Sequence, residues 1–503
     1  MPPLRLGTAI LAAASASPPL AQTAPPPSVR VACAGSIAAT GGPSSFVVEQ
    51  PGAVWLRLHF ASVDLPRGAR LRIVSALDGG EQVLDAGTAA EWQQTSAYFN
   101  GDALLVELLP GSDGTGGVEL AEAEVGLVPP GTGFSQCGPT DDRQPSSDPR
   151  VARLLPEGCT AWIVEGCGHC LVTAGHCAGG LLVAEFEVPP SLPTGAIVHP
   201  GPEHQYVYDP LSLQSENAGV GRDWAVFGCF PNTVTGRTPF ESALAAFVAL
   251  PATAAEGSWN VRLAGHGVDY APPEANQVQQ TDEGTLLDAS GPELAYLADT
   301  QAGNSGGAIE WVEGGVAIGV HTHGGCDAGR TQGNRGTPID HAPLAHALAN
   351  PRGICTAEPT SAATAYCVAK VNSLGCTPRI TASGAASASG GAGSFVISAE
   401  DVITHQPGLL LYGSAPAAVP FAGGMRCVAS PFVRVGVQGS GGAPGADDCS
   451  GAYAYDMGER IASGADPLLA AGTTVYAQWW MRDAGASPDP VGLTGGLAFT
   501  IGP

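Results

Sequence analysis

The chain has 503 residues, room for roughly two to four domains, and its 70 glycines and 43 prolines stand beside 44% apolar residues. That balance describes β-rich domains joined by many turns, not a disordered chain. The formal charge is −25 with Lys370 as the single lysine, a surface that repels phosphate backbones and anionic lipid and excludes nucleic acid as a partner.

The first stretch, Met1-Pro2-Pro3-Leu4-Arg5 followed by the small-apolar run Leu6 to Ala16, predicts a secretory signal over residues 1–21, cut near Ala16 or Ala21. The run is too short to span a bilayer, and no later segment does so. Thirteen cysteines in an exported chain predict disulfides and a secreted or extracellular location, and the odd count leaves at least one thiol free or paired between chains.

Residues 22–130 read as a β-sandwich-like domain behind a Pro-rich leader. Ala53 to Phe60 alternates, with Val54, Leu56, Leu58 and Phe60 on one face and Trp55, Arg57 and His59 on the other. Residues 131–150 are polar and rich in Pro and Gly, an exposed linker and possible processing site. Residues 151–353 carry most of the chemistry and close on a short helix over Asp340 to Asn350, with Asp340 as its N-cap. Residues 354–503 read as a disulfide-stapled β-rich appendage, interrupted by a Ser/Gly/Ala tract from Ser383 to Ser394 that is expected to be flexible.

Three short motifs fall in order inside 151–353: Thr173-Ala174-Gly175-His176-Cys177, Asp223-Trp224-Ala225-Val226 and Gly303-Asn304-Ser305-Gly306-Gly307. A serine hydroxyl is a poor nucleophile until an imidazole takes its proton, and a carboxylate must fix the tautomer of that imidazole. With these motifs the segment resembles the chymotrypsin-like serine endopeptidases, and it is most similar to their bacterial glutamyl-endopeptidase-like branch. The resemblance implies a double β-barrel with Ser305 as nucleophile, His176 as general base and acid, and Asp223 as the orienting carboxylate. It further implies an oxyanion hole from the backbone N–H groups of Gly303 and Ser305, and a Cys159–Cys177 bridge at the histidine loop. Asn304 departs from the aspartate that animal digestive members place before the serine, so their amine-to-aspartate activation switch is not expected.

Two readings of the substrate pocket stay open. Thr300 and His321 match the hydroxyl and imidazole that hold a glutamate carboxylate in the resembling branch. Asp299 instead matches the position at which trypsin-like members bind Lys or Arg, where a carboxylate would repel an acidic substrate.

Spacing suggests further cysteine pairs: Cys167–Cys170 at a hairpin tip, Cys326–Cys355, Cys367–Cys376 and Cys427–Cys449. His321, His323 and Cys326 lack a fourth nearby ligand for structural zinc, so neither metal nor cofactor is expected. The combined expectation is a mostly β, secreted serine endopeptidase acting on protein or peptide substrates. The competing expectation is an exported adhesion or carbohydrate-binding protein whose protease-like domain is inert.

Overall fold

A computed structural model of the protein describes residues 20–38, 44–111, 116–129, 136–165, 170–243, 245–252, 259–327, 329–330, 332–356, 363–442, 448–487 and 489–502. Most of the predicted signal segment lies outside these residues. The fold is mostly β, and its ladders are antiparallel.

Two barrels lie at its centre. In the first, the strands Gln205–Val207, Val183–Glu185, Val151–Leu155, Cys159–Ile163, Cys170–Thr173 and Asp223–Gly228 pair in that order, and a bridge between Tyr208 and Cys229 joins the ends. In the second, Val316–Gly324, Ala308–Trp311, Asn260–Gly265, Gln280–Asp288, Leu294–Tyr296 and Asn334–Pro338 close when the last strand pairs back onto the first. Strands such as Val316–Gly324 and Asp223–Gly228 are buried along their whole length, because the barrel interior covers one face and neighbouring elements pack on the other.

The N-terminal region is a sandwich of two four-stranded sheets. Leu56, Leu58 and Phe60 point into its core with Leu71, Ile73 and Val106. The opposite face of the same strand is also covered, which alternation alone does not foresee. Trp55 packs edge-on against His199 of the first barrel at 5.2 Å, Tyr98 stacks on His199 at 4.7 Å, and Arg57 donates to the Tyr98 hydroxyl. Burying an aromatic side chain of this size stabilises by roughly 1.5–3 kcal/mol, so the sandwich is docked on the barrel and not merely tethered to it.

The C-terminal region pairs a five-stranded with a three-stranded sheet and adds the hairpin Pro416–Phe421/Gly424–Val428. It packs on the second barrel through Tyr366, Tyr476 and Cys427 against the apolar cluster that contains Trp259 and Trp311.

Several expectations change. Cys137 to Arg150 is not a free linker. Cys137 is bonded to Cys326, Gln144–Pro145 pairs with the strand Gln280–Asp288, and the buried Arg143 donates to the Val268 carbonyl. The final helix of the barrel region spans Ala342–Ala349 with His341, not Asp340, at its N-cap. The Ser/Gly/Ala tract is tied down, with Ala388 N–H donating to Gly502 O and Gly502 N–H to Ala386 O.

The Cys159–Cys177 bridge is present, but other pairings differ. Cys326 bonds Cys137, whereas Cys355 is buried on the turn Gly353–Thr356 beside the first barrel. Cys367 bonds Cys427, and Cys376 bonds Cys449. Sequence proximity misleads there because Asn372 N–H closes a turn onto the Cys376 carbonyl and its amide faces Cys449, directing Cys376 away from Cys367. Cys167 lies outside the described residues, and so therefore does the Cys167–Cys170 pairing.

Candidate active site

The first barrel supplies His176 and Asp223. The strand Cys170–Thr173 runs into the short turn Gly175–Cys177, which the disulfide to Cys159 holds against the barrel. Asp223 opens the neighbouring strand and is fully buried. Its Oδ1 accepts the His176 backbone N–H at 2.9 Å, and its Oδ2 lies 2.5 Å from His176 Nδ1. That partner places a proton on Nδ1 and leaves Nε2 with its lone pair. Nε2 is buried and has no hydrogen-bond partner among the described residues.

Thr337, on a strand of the second barrel, receives the Asp223 N–H and donates to the Asp223 carbonyl, so the aspartate is pinned across the barrel junction. His323 stands beside it, with Nδ1 3.8 Å from the same carboxylate and its ring centroid 5.8 Å from that of His176.

The second barrel supplies Ser305. Its carbonyl accepts from Thr160 N–H of the first barrel, next to the Cys159 half of the disulfide. The turn needs its glycines. Gly303 has φ +101° and a Cβ there would stand 2.5 Å from His266 O. Gly306 has φ +93° and a Cβ there would stand 2.0 Å from Thr160 O. Only glycine takes both the dihedral and the space. Asn304 accepts from Gln301 N–H through Oδ1, bracing the turn from inside.

The Ser305 hydroxyl donates to the Thr322 carbonyl at 3.0 Å and receives a backbone N–H at 3.0 Å. That N–H belongs to Gln22, far away in sequence. Gln22 also offers its carbonyl oxygen to Gly303 N–H at 2.6 Å, and its side-chain Oε1 lies 2.6 Å from His321 Nε2. His321 is fully buried and takes the Tyr296 hydroxyl on Nδ1. Burial, with His323 and His176 nearby, pushes its pKa down to about 3, so it meets Gln22 as a neutral N–H donor. Thr300 is buried with its hydroxyl unpartnered among the described residues.

Asp299 is engaged elsewhere. Its oxygens accept the backbone N–H groups of Cys137 and Asp142, at 2.5 and 3.2 Å. Burial, with the Asp282 carboxylate adding to it, raises its pKa to about 6. The Cys137–Cys326 disulfide holds that donor segment against it. Carboxylates of Asp142, Asp282 and Asp299 gather within 4.8 Å. The His321, His323 and Cys326 set offers no thiolate, because Cys326 is oxidised.

The structure thus pairs His176 with Asp223 on the first barrel and gathers Ser305, Gly303 and His321 of the second around Gln22, with the Ser305 carbonyl bonded across to Thr160 of the first. Two antiparallel six-stranded barrels define the architecture: the one with the histidine and aspartate has its ends joined by a single bridge, and the one with the serine turn is closed by a ladder. The fold is chymotrypsin-like. Sequence reasoning missed Gln22, Tyr296 and Thr337, and weighed His323 only as a metal ligand. Of these only His323 carried a signal, two places along a strand from His321 and so on the same face.

No protein-family model and no curated protein matches the chain. Solved structures similar to it include a thermostable serine protease, AL20, from an extremophilic microorganism, with 16% identity over 41% of this chain and all of that one at a TM-score of 0.32. A Glu endopeptidase is 16% identical over 42% of this chain and 97% of its own, with a TM-score of 0.33. HBP, the human heparin binding protein, is 14% identical over 42% and 98%, with a TM-score of 0.32. The chymotrypsin-like description of this chain rests on its own barrels.

Proposed function

We propose that the chain is a secreted serine endopeptidase that hydrolyses peptide bonds through an acyl-enzyme on Ser305. The observation that carries the reading is the His176–Asp223 pair. A buried carboxylate 2.5 Å from Nδ1 leaves an unbonded Nε2 on a loop against which the glycine-framed turn of Ser305 is packed, with a Cβ at Gly306 falling 3.1 Å from Ala174 N.

In the proposed reaction Ser305 Oγ attacks the scissile carbonyl while His176 Nε2 takes its proton. Asp223 holds the imidazole and stabilises its cation, and the N–H groups of Gly303 and Ser305 receive the oxyanion. His176 then returns the proton to the leaving amine, and water hydrolyses the ester.

For the residue before the scissile bond we favour a side chain of glutamate or glutamine length. Support comes from the His321 Nε2 contact with the Gln22 carboxamide and from the spare Thr300 hydroxyl. The Lys/Arg reading loses ground because Asp299 is bonded to backbone donors. Four disulfides among the described residues fit export to an oxidising compartment.

The test is covalent labelling by a fluorophosphonate of the exported protein and of Gln22→Arg, which replaces the side chain seated on His321 and is expected to free Ser305. We expect label on Ser305 and none on Ser305→Ala. If neither protein labels while the unlabelled chain binds a polysaccharide or a cell surface, the reading passes to an inert protease-like adhesion protein.

A further inference from the structure

We propose that the segment Leu20–Ala24 is the enzyme's own first substrate, bound in the catalytic cleft with Gln22 in the specificity pocket and cut between Gln22 and Thr23. The proposal rests on the endopeptidase reading above and goes beyond it by naming a bond, a pocket occupant and a blocked resting state.

Five contacts place the segment as a substrate. Ahead of Gln22, Leu20–Ala21 adds a strand antiparallel to Val316–Gly324, with Leu20 opposite Gly324 and Ala21 opposite His323. Strand addition to a sheet edge is how extended peptides gain main-chain affinity, and it sets which side chain falls in which pocket. At Gln22 the carbonyl oxygen sits 2.6 Å from Gly303 N–H, where an oxyanion would develop. Gln22 is 4% exposed, and its side-chain Oε1 meets His321 Nε2. Beyond it, Ala24 N–H donates to Gly158 O at 2.9 Å, and Ala24 O accepts from Gln277 Nε2 at 2.9 Å. The bond between Gln22 and Thr23 is therefore held from both sides over Ser305, a positioning that removes much of the entropic cost of attack.

The same geometry explains why this state rests. Ser305 Oγ lies between Gln22 N–H and the Thr322 carbonyl, bonded to both, while His176 Nε2 stands unbonded. Turning Oγ from Thr322 to His176 hands the Gln22 N–H to the Thr322 carbonyl and arms the nucleophile. Oγ then bonds to the Gln22 carbonyl carbon as its proton passes to His176. The carbon–nitrogen bond to Thr23 breaks as His176 protonates the departing amine, and water splits the ester to leave a Gln22 carboxylate. The downstream chain stays anchored by the ladder of Ser28–Ala38, whereas the upstream piece, held only by a two-residue ladder and the Gln22 contacts and no longer tethered to the fold, departs and opens the cleft.

Of the two signal cuts that the sequence offers, the proposal requires the one near Ala16, since a cut after Ala21 removes the strand that enters the cleft. The experiment determines the N-terminus of exported wild type, Ser305→Ala, Gln22→Glu and Gln22→Arg by intact mass and Edman sequencing, alongside fluorophosphonate labelling and cleavage of an added peptide. Wild type and Gln22→Glu should begin at Thr23. Ser305→Ala should retain the residues ahead of Gln22, even when mixed with wild type. Gln22→Arg should also retain them, yet label as fast as processed wild type because Arg cannot seat on His321. A wild type that labels and cuts added peptide but begins at Gln22 or earlier overturns this proposal and leaves the endopeptidase reading standing. Conversion of Ser305→Ala by added wild type overturns the step within one chain. Absence of label and of peptide cleavage in both wild type and Gln22→Arg overturns the endopeptidase reading, and this proposal with it.

Discussion

The Tyr296 hydroxyl donates to Nδ1 of His321, and this bond decides which nitrogen of the imidazole offers a proton to the pocket. Both rings are fully buried, and burial keeps the imidazole neutral, so His321 recognises an oxygen acceptor through a fixed tautomer and not through charge.

Tyr296→Phe removes that restraint and frees the other tautomer, which turns a lone pair toward the substrate. Loss of one buried hydrogen bond of about 1–1.5 kcal/mol should lower kcat/KM roughly tenfold for substrates with Gln or Glu before the scissile bond. Substrates with Ala there should be unaffected. Steady-state kinetics on the matched series checks it, and an equal fall across the series would point to general damage.

Asp223→Asn keeps the side-chain shape but cannot hold His176 with the proton on Nδ1. A fall in kcat on the order of 10⁴ is expected, with the circular dichroism spectrum unchanged. Retention of more than a tenth of the activity would remove Asp223 from the proposed machinery.

Asp299→Asn tests the basic pocket. Because both carboxylate oxygens already face backbone donors, the ratio of kcat/KM for Arg-containing over Gln-containing substrates should stay within about twofold of wild type. Collapse of a pre-existing Arg preference would reinstate the aspartate as the pocket floor.

Glu165 accepts the Tyr476 hydroxyl at 3.1 Å where the C-terminal region meets the barrels. Burial pushes its carboxyl up to about 7, and the tyrosine bond only partly offsets that. The folded state therefore holds this proton more tightly than the unfolded chain does. Stability contributed by the protonated form is complete below the unfolded pKa and is lost as pH rises toward 7, a loss on the order of 2–3 kcal/mol. Thermal melts should give a lower Tm at pH 8 than at pH 5, and Glu165→Gln should flatten the difference. An unchanged slope in the variant would place the pH dependence elsewhere.

Much of the fold and part of the site were legible in the chain. Alternating apolar runs mark the strands because a pleated surface shows its side chains to opposite faces. The three short motifs mark His176, Asp223 and Ser305 as candidates because nucleophilic catalysis needs those residue types in that order. Contacts made by a buried second face were not legible. Trp55, Arg57 and His59 share the second face of their strand in the sequence pattern, and only the structure sets Trp55 against His199 and Arg57 against Tyr98.

What the sequence alone determined is the β architecture and the choice of His176, Asp223 and Ser305 as the proposed reacting groups, since both follow from local pattern and short-range turn chemistry. Which cysteines meet, where Asp299 aims its carboxylate, and that Gln22 lies on Ser305 were decided only by tertiary structure. Each depends on segments far apart in the chain being brought together, such as Cys137 with Cys326 and Gln22 with His321. No local periodicity encodes such meetings, because they follow from how the closed barrels present their edges and loops to the rest of the chain.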